Sequence, residues 1–181
     1  MRSKTAWLIL AALFTALTAL GAFLKIPVGL AAVSLQSLIT ALAGLLLGAK
    51  WGALSQAAYV ILGLVGLPIF ALGGGPGYVL QPSFGFVLAL IPAAWVIGAA
   101  AGREPSAIRC VAACLLGECV IYLVGVPYLY LILNAYLGQD VPLGTVVRTG
   151  MLIYLPGDGG KILATVLLAG PLRRALRRAG T

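Results

Sequence analysis

Histidine is missing from this chain, and acidic residues number only 4 among 181. Without imidazole, Ser-His-Asp and Cys-His nucleophilic relays cannot be assembled, and a zinc or haem site has almost nothing to use. No paired carboxylates occur and no serine has an evident base, so hydrolase and transferase arrangements lack parts. Cysteine is sparse too. Cys110, Cys114 and Cys119 share one apolar run, where they are expected to be small buried packing residues. A phosphate loop is also absent: GxxxxGK[ST] aligned on Lys161 requires glycine at Leu155 and a hydroxyl at Ile162. Any energy for active transport would have to come from an ion gradient or a partner.

Charge is scarce as well. Only 9% of the residues are charged against 62% hydrophobic, and a mean hydropathy of +1.11 lies outside the range of a water-soluble domain. The composition predicts an all-α integral membrane protein, a compact bundle forming a single membrane domain over residues 1–181. At about 20 apolar residues per crossing, this length holds at most about six spans. Hydropathy and its breakers place them near 5–24, 34–49, 52–67, 83–101, 106–125 and 158–172. The first run, WLILAALFTALTALGAFL, is long enough to span and lacks a clean cleavage site, so it is expected to be a helix and not a removable signal. The second and third, split only by AKWG, predict a tight helical hairpin. Gly125 and Pro127 predict a break, after which Tyr128, Tyr130 and Tyr136 suit an interfacial segment.

The net charge of +8 does not point to nucleic acid, because the basic residues sit at the ends of apolar runs and not along one polar face. With a cytoplasmic N-terminus, Arg2, Lys4, Lys50, Arg103, Arg109, Arg173, Arg174, Arg177 and Arg178 fall on the inner side, and only Lys25 and Arg148 on the outer. That asymmetry predicts both termini in the cytoplasm and an even number of spans. It also predicts that two other features share the outer side: the uncharged loop LPIFALGGGPGYVLQPS, Leu67 to Ser83, and the PGDGGK entry to the last span.

Asp158 and Lys161 in that entry are spaced i, i+3. On a helix they share a face and partly neutralise each other at a depth where one bare charge would cost about 3 kcal/mol. A ligand site is one reading; a helix start capped by Asp158, with Lys161 snorkelling to headgroups, is the other. The outer loop offers Gly73, Gly74, Gly75 and Gly77 followed by Tyr78, Gln81 and Ser83, a mixture that fits either a lid over a small polar ligand or an ordinary connector. Gln36 and Tyr122 lie near the outer ends of their spans, where they are in reach of the same pocket or of neighbouring backbone carbonyls. Glu118, one turn before Tyr122, suits a proton carrier or a hydrogen-bonded structural acid. Small residues recur at four-residue spacing at Ala12 and Ala16, at Gly44, Gly48 and Gly52, and at Gly98 and Gly102. Such stripes let helices approach closely, within the bundle or against another membrane protein.

The order of these segments resembles the BioY family, the biotin-specific substrate-binding (S) components of energy-coupling factor (ECF) transporters. The resemblance covers nearly the whole chain. It runs through SLQSL, LAGLLLG followed by a basic residue and GALSQ, GLVGLPIF before the glycine-rich loop, then IYLVGV and PGDGGK. One departure is clear: after the loop the family reads close to G-P-T-x-G-Y, whereas this chain has Gln81, Pro82, Ser83, Phe84, Gly85 and Phe86. Ser83 keeps a hydroxyl, and Phe86 lacks the tyrosine oxygen.

The resemblance implies a six-helix, multi-pass protein of a prokaryotic plasma membrane, not an enzyme, that captures biotin at its outer face with no cofactor of its own. It implies delivery of the vitamin with a transmembrane coupling subunit (EcfT-like) and two cytoplasmic ATPase subunits. Asp158 and Lys161 match the family's ligand residues, and Ala12 and Ala16 match the stripe on which the coupling subunit docks. Around the pair, Phe70, Tyr78 and Tyr122 are expected against the ring and valeryl chain, with Gln81, Ser83 or loop amides at the carboxylate and Gln36 nearby. An S component for riboflavin or thiamine, a stand-alone secondary carrier using Glu118, and a membrane scaffold without a ligand are the competing expectations.

Overall fold

The computed structural model describes residues 3–28, 31–102 and 104–179; Arg2 and Arg103, both counted above in the charge asymmetry, lie outside them. Helix α1 (Lys4–Phe23) starts where the Ser3 hydroxyl accepts from the Ala6 N–H, satisfying one of the free donors of the first turn. A short antiparallel ribbon of β1 (Lys25–Val28) and β2 (Ala31–Ser34) follows. The remainder is helical: α2 (Gln36–Leu64), α3 (Phe84–Ala101), α4 (Ala107–Leu131), the short α5 (Leu143–Val147) and α6 (Leu155–Ala179). Among the described residues, five helical segments are long and apolar enough to cross a membrane. The all-helical expectation thus holds apart from the ribbon, which the hydropathy pattern left inside a connection.

Helix α2 doubles back on itself. Gly48, with φ 79° and ψ 176°, occupies a conformation that only glycine tolerates without strain. In a straight helix Thr40 and Gln56 would stand about 24 Å apart; here Thr40 Oγ1 donates to Gln56 Oε1 at 3.1 Å. Gln36 Nε2 donates to the Tyr59 hydroxyl at 2.8 Å, so the two legs run antiparallel from the Gly48 turn to the other end. Close to that turn, a Cβ on Gly52 would come within 3.1 Å of Gly44, and one on Gly44 would come within 2.9 Å of Ile97 on α3. Gly98 sits directly against the backbone of Gly48 and Ala49. The Gly44, Gly48, Gly52 and Gly98 stripes therefore pack inside the bundle. Ala12 and Ala16 differ: they are exposed on α1, beside the exposed Leu8, Ile9, Leu13 and Leu20.

Helix α1 is joined to the hairpin by polar groups buried in an apolar setting. Thr15 Oγ1 donates to the Ser55 carbonyl at 2.8 Å, Gln56 Nε2 donates to Thr18 Oγ1 at 3.2 Å, and Thr18, Ser55 and Gln56 are fully buried. With little hydrophobic force between helices in lipid, such bonds, at about 0.6 kcal/mol each, help set which faces meet. Trp7 stacks on Trp51 beside the Gly48 turn, while Arg173 donates to the Leu45 carbonyl at 3.1 Å and Arg177 pairs with Glu104 at 2.7 Å. Those contacts gather the start of α1 and the end of α6 at one end of the bundle. Arg177 holds the exposed Glu104 carboxyl below the usual carboxylate range.

Two boundaries differ from the sequence reading. No break follows Gly125 and Pro127: α4 continues to Leu131 and passes through a wider turn over Ile132–Tyr136. Gly125 serves close packing, because a Cβ there would strike the Phe86 ring, and a proline late in a membrane helix is accommodated by neighbouring groups. The segment 143–152, left as connection by hydropathy, is helical. Gly144, Arg148 and Gly150 interrupt its apolar pattern.

Candidate functional site

Helix α6 begins at Leu155, three residues before the acid, with Pro156 in the first turn, where its missing N–H costs nothing. Asp158 is consequently inside the helix, and its own N–H donates to the Tyr154 carbonyl at 2.9 Å. It is not the N-cap required by the capping alternative. Helical spacing instead brings Lys161 Nζ to 2.9 Å from Asp158 Oδ1, with Asp158 buried and the lysine side chain only 13% exposed. Gly159 and Gly160 face open space, and nothing in the structure explains them.

Two other helices complete the surroundings of this pair. Tyr122 of α4 donates its phenolic proton to Asp158 Oδ2. Ser37, in the first turn of α2, accepts from Lys161 Nζ at 3.1 Å. Glu118 of α4 stands one turn from Tyr122, within electrostatic reach of Asp158 and Lys161. Tyr154 is buried within reach of Tyr122. Helices α2, α4 and α6 thus converge on one buried ion pair.

Beside it lies an aromatic group built by the glycine-rich loop. Gly66, Gly73 and Gly75 take positive φ, and the Gly75 N–H donates to the Gly63 carbonyl at 2.7 Å, which folds the loop back onto α2. Phe70 is fully buried, 4.5 Å from the Tyr78 ring centroid and 5.4 Å from that of Tyr59. The Tyr78 hydroxyl is buried beside Ser83 and the Leu72 backbone without a well-formed bond to either, and burial raises its phenol above the ordinary tyrosine range. Tyr128 donates to the Val79 carbonyl, tying the loop to α4.

The expected site residues therefore separate into groups. Asp158, Lys161 and Tyr122 are in direct contact. Gln36 is hydrogen-bonded to Tyr59 and accepts from Ser34 at 2.9 Å, so it braces the loop side; its neighbour Ser37, not Gln36, touches the lysine. Tyr59 in turn donates to the Ile69 carbonyl at 3.1 Å. Phe70, Tyr78 and Ser83 belong to the aromatic group, and the Gln81 side chain is exposed. Phe86 stands edge-on to Tyr122 at 6.4 Å and links the two groups. Sequence reasoning missed Ser37 and Tyr59. Ser37 had no signal beyond being a hydroxyl in an apolar run, with a partner 124 residues away.

Among the described residues, no group of three or more potential metal ligands occurs. What the buried pair retains is hydrogen-bonding capacity. A carboxylate offers about four lone-pair sites and an ammonium three protons. Asp158 uses one oxygen for Lys161 and the other for Tyr122, while Lys161 spends two protons on Asp158 and Ser37. Two acceptor sites and one donor remain.

The family model described as the BioY family matches residues 1–178. A Lysinibacillus sphaericus protein named "Probable biotin transporter BioY" is 41% identical over 180 residues, covering 98% of this chain and 92% of its own. The "Biotin transporter BioY" of Thermotoga maritima is 34% identical, covering 92% and 95%. A crystal structure of the S-component for biotin from an ECF-type ABC transporter superposes with a TM-score of 0.80 at 29% identity, covering 94% of this chain and 92% of that one.

Proposed function

The chain belongs to the BioY family, and from that premise we propose that it is the biotin-capturing S component of an ECF-type importer, a transporter subunit and not an enzyme. The observation carrying this reading is the residual capacity of the Asp158–Lys161 pair. The ureido group of biotin presents two N–H donors and one carbonyl, which complements two open lone pairs on Asp158 and one open proton on Lys161. Phe70, Tyr78 and Tyr122 would line the apolar bicyclic ring and valeryl chain, with Gln36 bracing the loop and Ser83, Gln81 or loop amides at the carboxylate. Ligands lacking the ureido group would leave buried polar groups unpaired and would be rejected.

In this reading the doubled-back α2 supplies two crossings, which makes six spans in one membrane domain of residues 1–181, with both termini cytoplasmic and the Asp158 end facing outward. The arginine-rich end carrying Arg173 and Arg177 supports that sidedness. The exposed stripe of Ala12 and Ala16 would dock the transmembrane coupling subunit, which works with two cytoplasmic ATPases in a prokaryotic plasma membrane. Titrating the purified protein with biotin, riboflavin and thiamine tests the reading. Saturable binding of biotin alone is expected, and preference for another vitamin would overturn it.

A further inference from the structure

The arginine-rich end of the bundle takes part in neither the ion pair nor the aromatic group. Gly98 rests on the backbone of Gly48 and Ala49, which puts the last turn of α3 beside the hairpin turn of α2. Two guanidinium groups from other helices reach that crossing. Arg109 of α4 donates from Nε to the Ala100 carbonyl at 2.8 Å, and a Cβ on Gly102 would come within 3.3 Å of its Nη2, so the glycine leaves the space the group occupies. Arg173 of α6 donates from Nη2 to the Leu45 carbonyl at 3.1 Å. Both carbonyls lie in the last turn of a helical segment, where acceptors lack an N–H partner. Arg177, one turn beyond Arg173, pairs at 2.7 Å with Glu104 of the α3–α4 connection.

This corner therefore gathers three guanidinium groups around one carboxylate. The other three acids of the chain are Glu118, one turn from Tyr122, Asp158 of the ion pair and Asp140 after α4, so none of them balances the excess here. A carbonyl holds a guanidinium in place but carries only part of a charge. Among the described residues Arg109 and Arg173 make no other side-chain hydrogen bond or ion pair. Their remaining N–H donors are open, and a planar guanidinium fork matches two oxygens of a phosphate. Trp7 and Trp51 stack at the same end, and tryptophan is enriched at headgroup level. Helix α1, with its exposed Ala12 and Ala16, meets the hairpin through Thr15, Thr18 and Trp7, whereas the arginines come from α4 and α6. A lipid fits this corner better than a subunit seated on α1. We propose that Arg109 and Arg173 form a binding site for the headgroup phosphate of an anionic phospholipid, where the α2 turn, the end of α3, the start of α4 and the end of α6 meet. The site is independent of the biotin reading.

Native mass spectrometry of the full-length protein, in detergent containing equimolar phosphatidylglycerol and phosphatidylcholine, reads the site directly. Phosphatidylglycerol should be retained at least about 10-fold over phosphatidylcholine. Arg109→Gln, at an exposed position, should lower that preference about 5-fold, and adding Arg173→Gln should abolish it. Arg174→Gln is the control: it removes the same charge from an exposed arginine next to Arg173, and it should leave the preference within about 2-fold of native. Thermal unfolding establishes that each variant is folded, and Arg109→Gln carries the test alone if loss of the Arg173 contact unfolds the hairpin. No preference in the native protein, an equal loss in Arg174→Gln, or complete displacement of the lipid by excess inorganic phosphate would overturn the inference. So would a double variant that keeps its preference for phosphatidylglycerol but no longer co-purifies with the coupling subunit, because the corner would then be a protein contact.

Discussion

Tyr122 donates to the one oxygen of Asp158 that Lys161 leaves free, so both carboxylate oxygens are held from opposite sides by different helices. The carboxylate plane is thereby fixed by α4 as well as by its own helix. Tyr122→Phe keeps the edge contact with Phe86 and removes only the donor. Biotin binding should weaken about 10-fold with little change in unfolding temperature, as expected for loss of one charge-assisted hydrogen bond. Titration calorimetry checks this, and unaltered affinity would show that the phenol does not orient the acid.

Gly48 makes the turn that brings Thr40 to Gln56 and Gln36 to Tyr59. A Cβ there would meet no atom within 4 Å, so the cost of Gly48→Ala is purely that of the backbone conformation. A loss of about 1–3 kcal/mol is expected. Thermal or denaturant unfolding in detergent should report a lower midpoint, and a midpoint equal to that of the native protein would contradict the hairpin.

Ala12 and Ala16 are a small-residue pair left on an outer face, whereas Gly44, Gly52 and Gly98 are consumed in packing the bundle. Ala12→Trp and Ala16→Trp should prevent co-purification with the coupling subunit and leave biotin affinity within about 2-fold of native, since neither residue contacts the Asp158 cluster. Normal co-purification of both variants would place docking elsewhere.

Sidedness is open to chemical labelling. After replacement of the three native cysteines, Gln139→Cys near the Asp158 end should react with a membrane-impermeant maleimide in intact cells. Lys50→Cys, beside the Gly48 turn, should react only after permeabilisation. The reverse pattern would invert the proposed orientation.

Much of this arrangement was legible in the sequence, for identifiable reasons. The Asp158–Lys161 contact follows from helical spacing alone, and the hairpin from two short apolar runs too close for a loop. The β1–β2 ribbon and α5 escaped notice because both are short and interrupted by proline or glycine, which leaves no readable period. The break expected at Gly125 and Pro127 did not occur because that glycine accommodates Phe86, a long-range contact that no local pattern records. The same limit hid Ser37.

The most direct measurement is the affinity of biotin for Asp158→Asn compared with the native protein, by titration calorimetry, with unfolding temperature recorded for both. Asparagine keeps the shape but replaces one acceptor oxygen with a donor and leaves the Lys161 ammonium without its ion partner. Affinity should fall by at least about 100-fold while the protein stays folded. Equal heats and equal affinity in the two proteins would contradict the assignment of the Asp158–Lys161 pair as the polar floor of the biotin site.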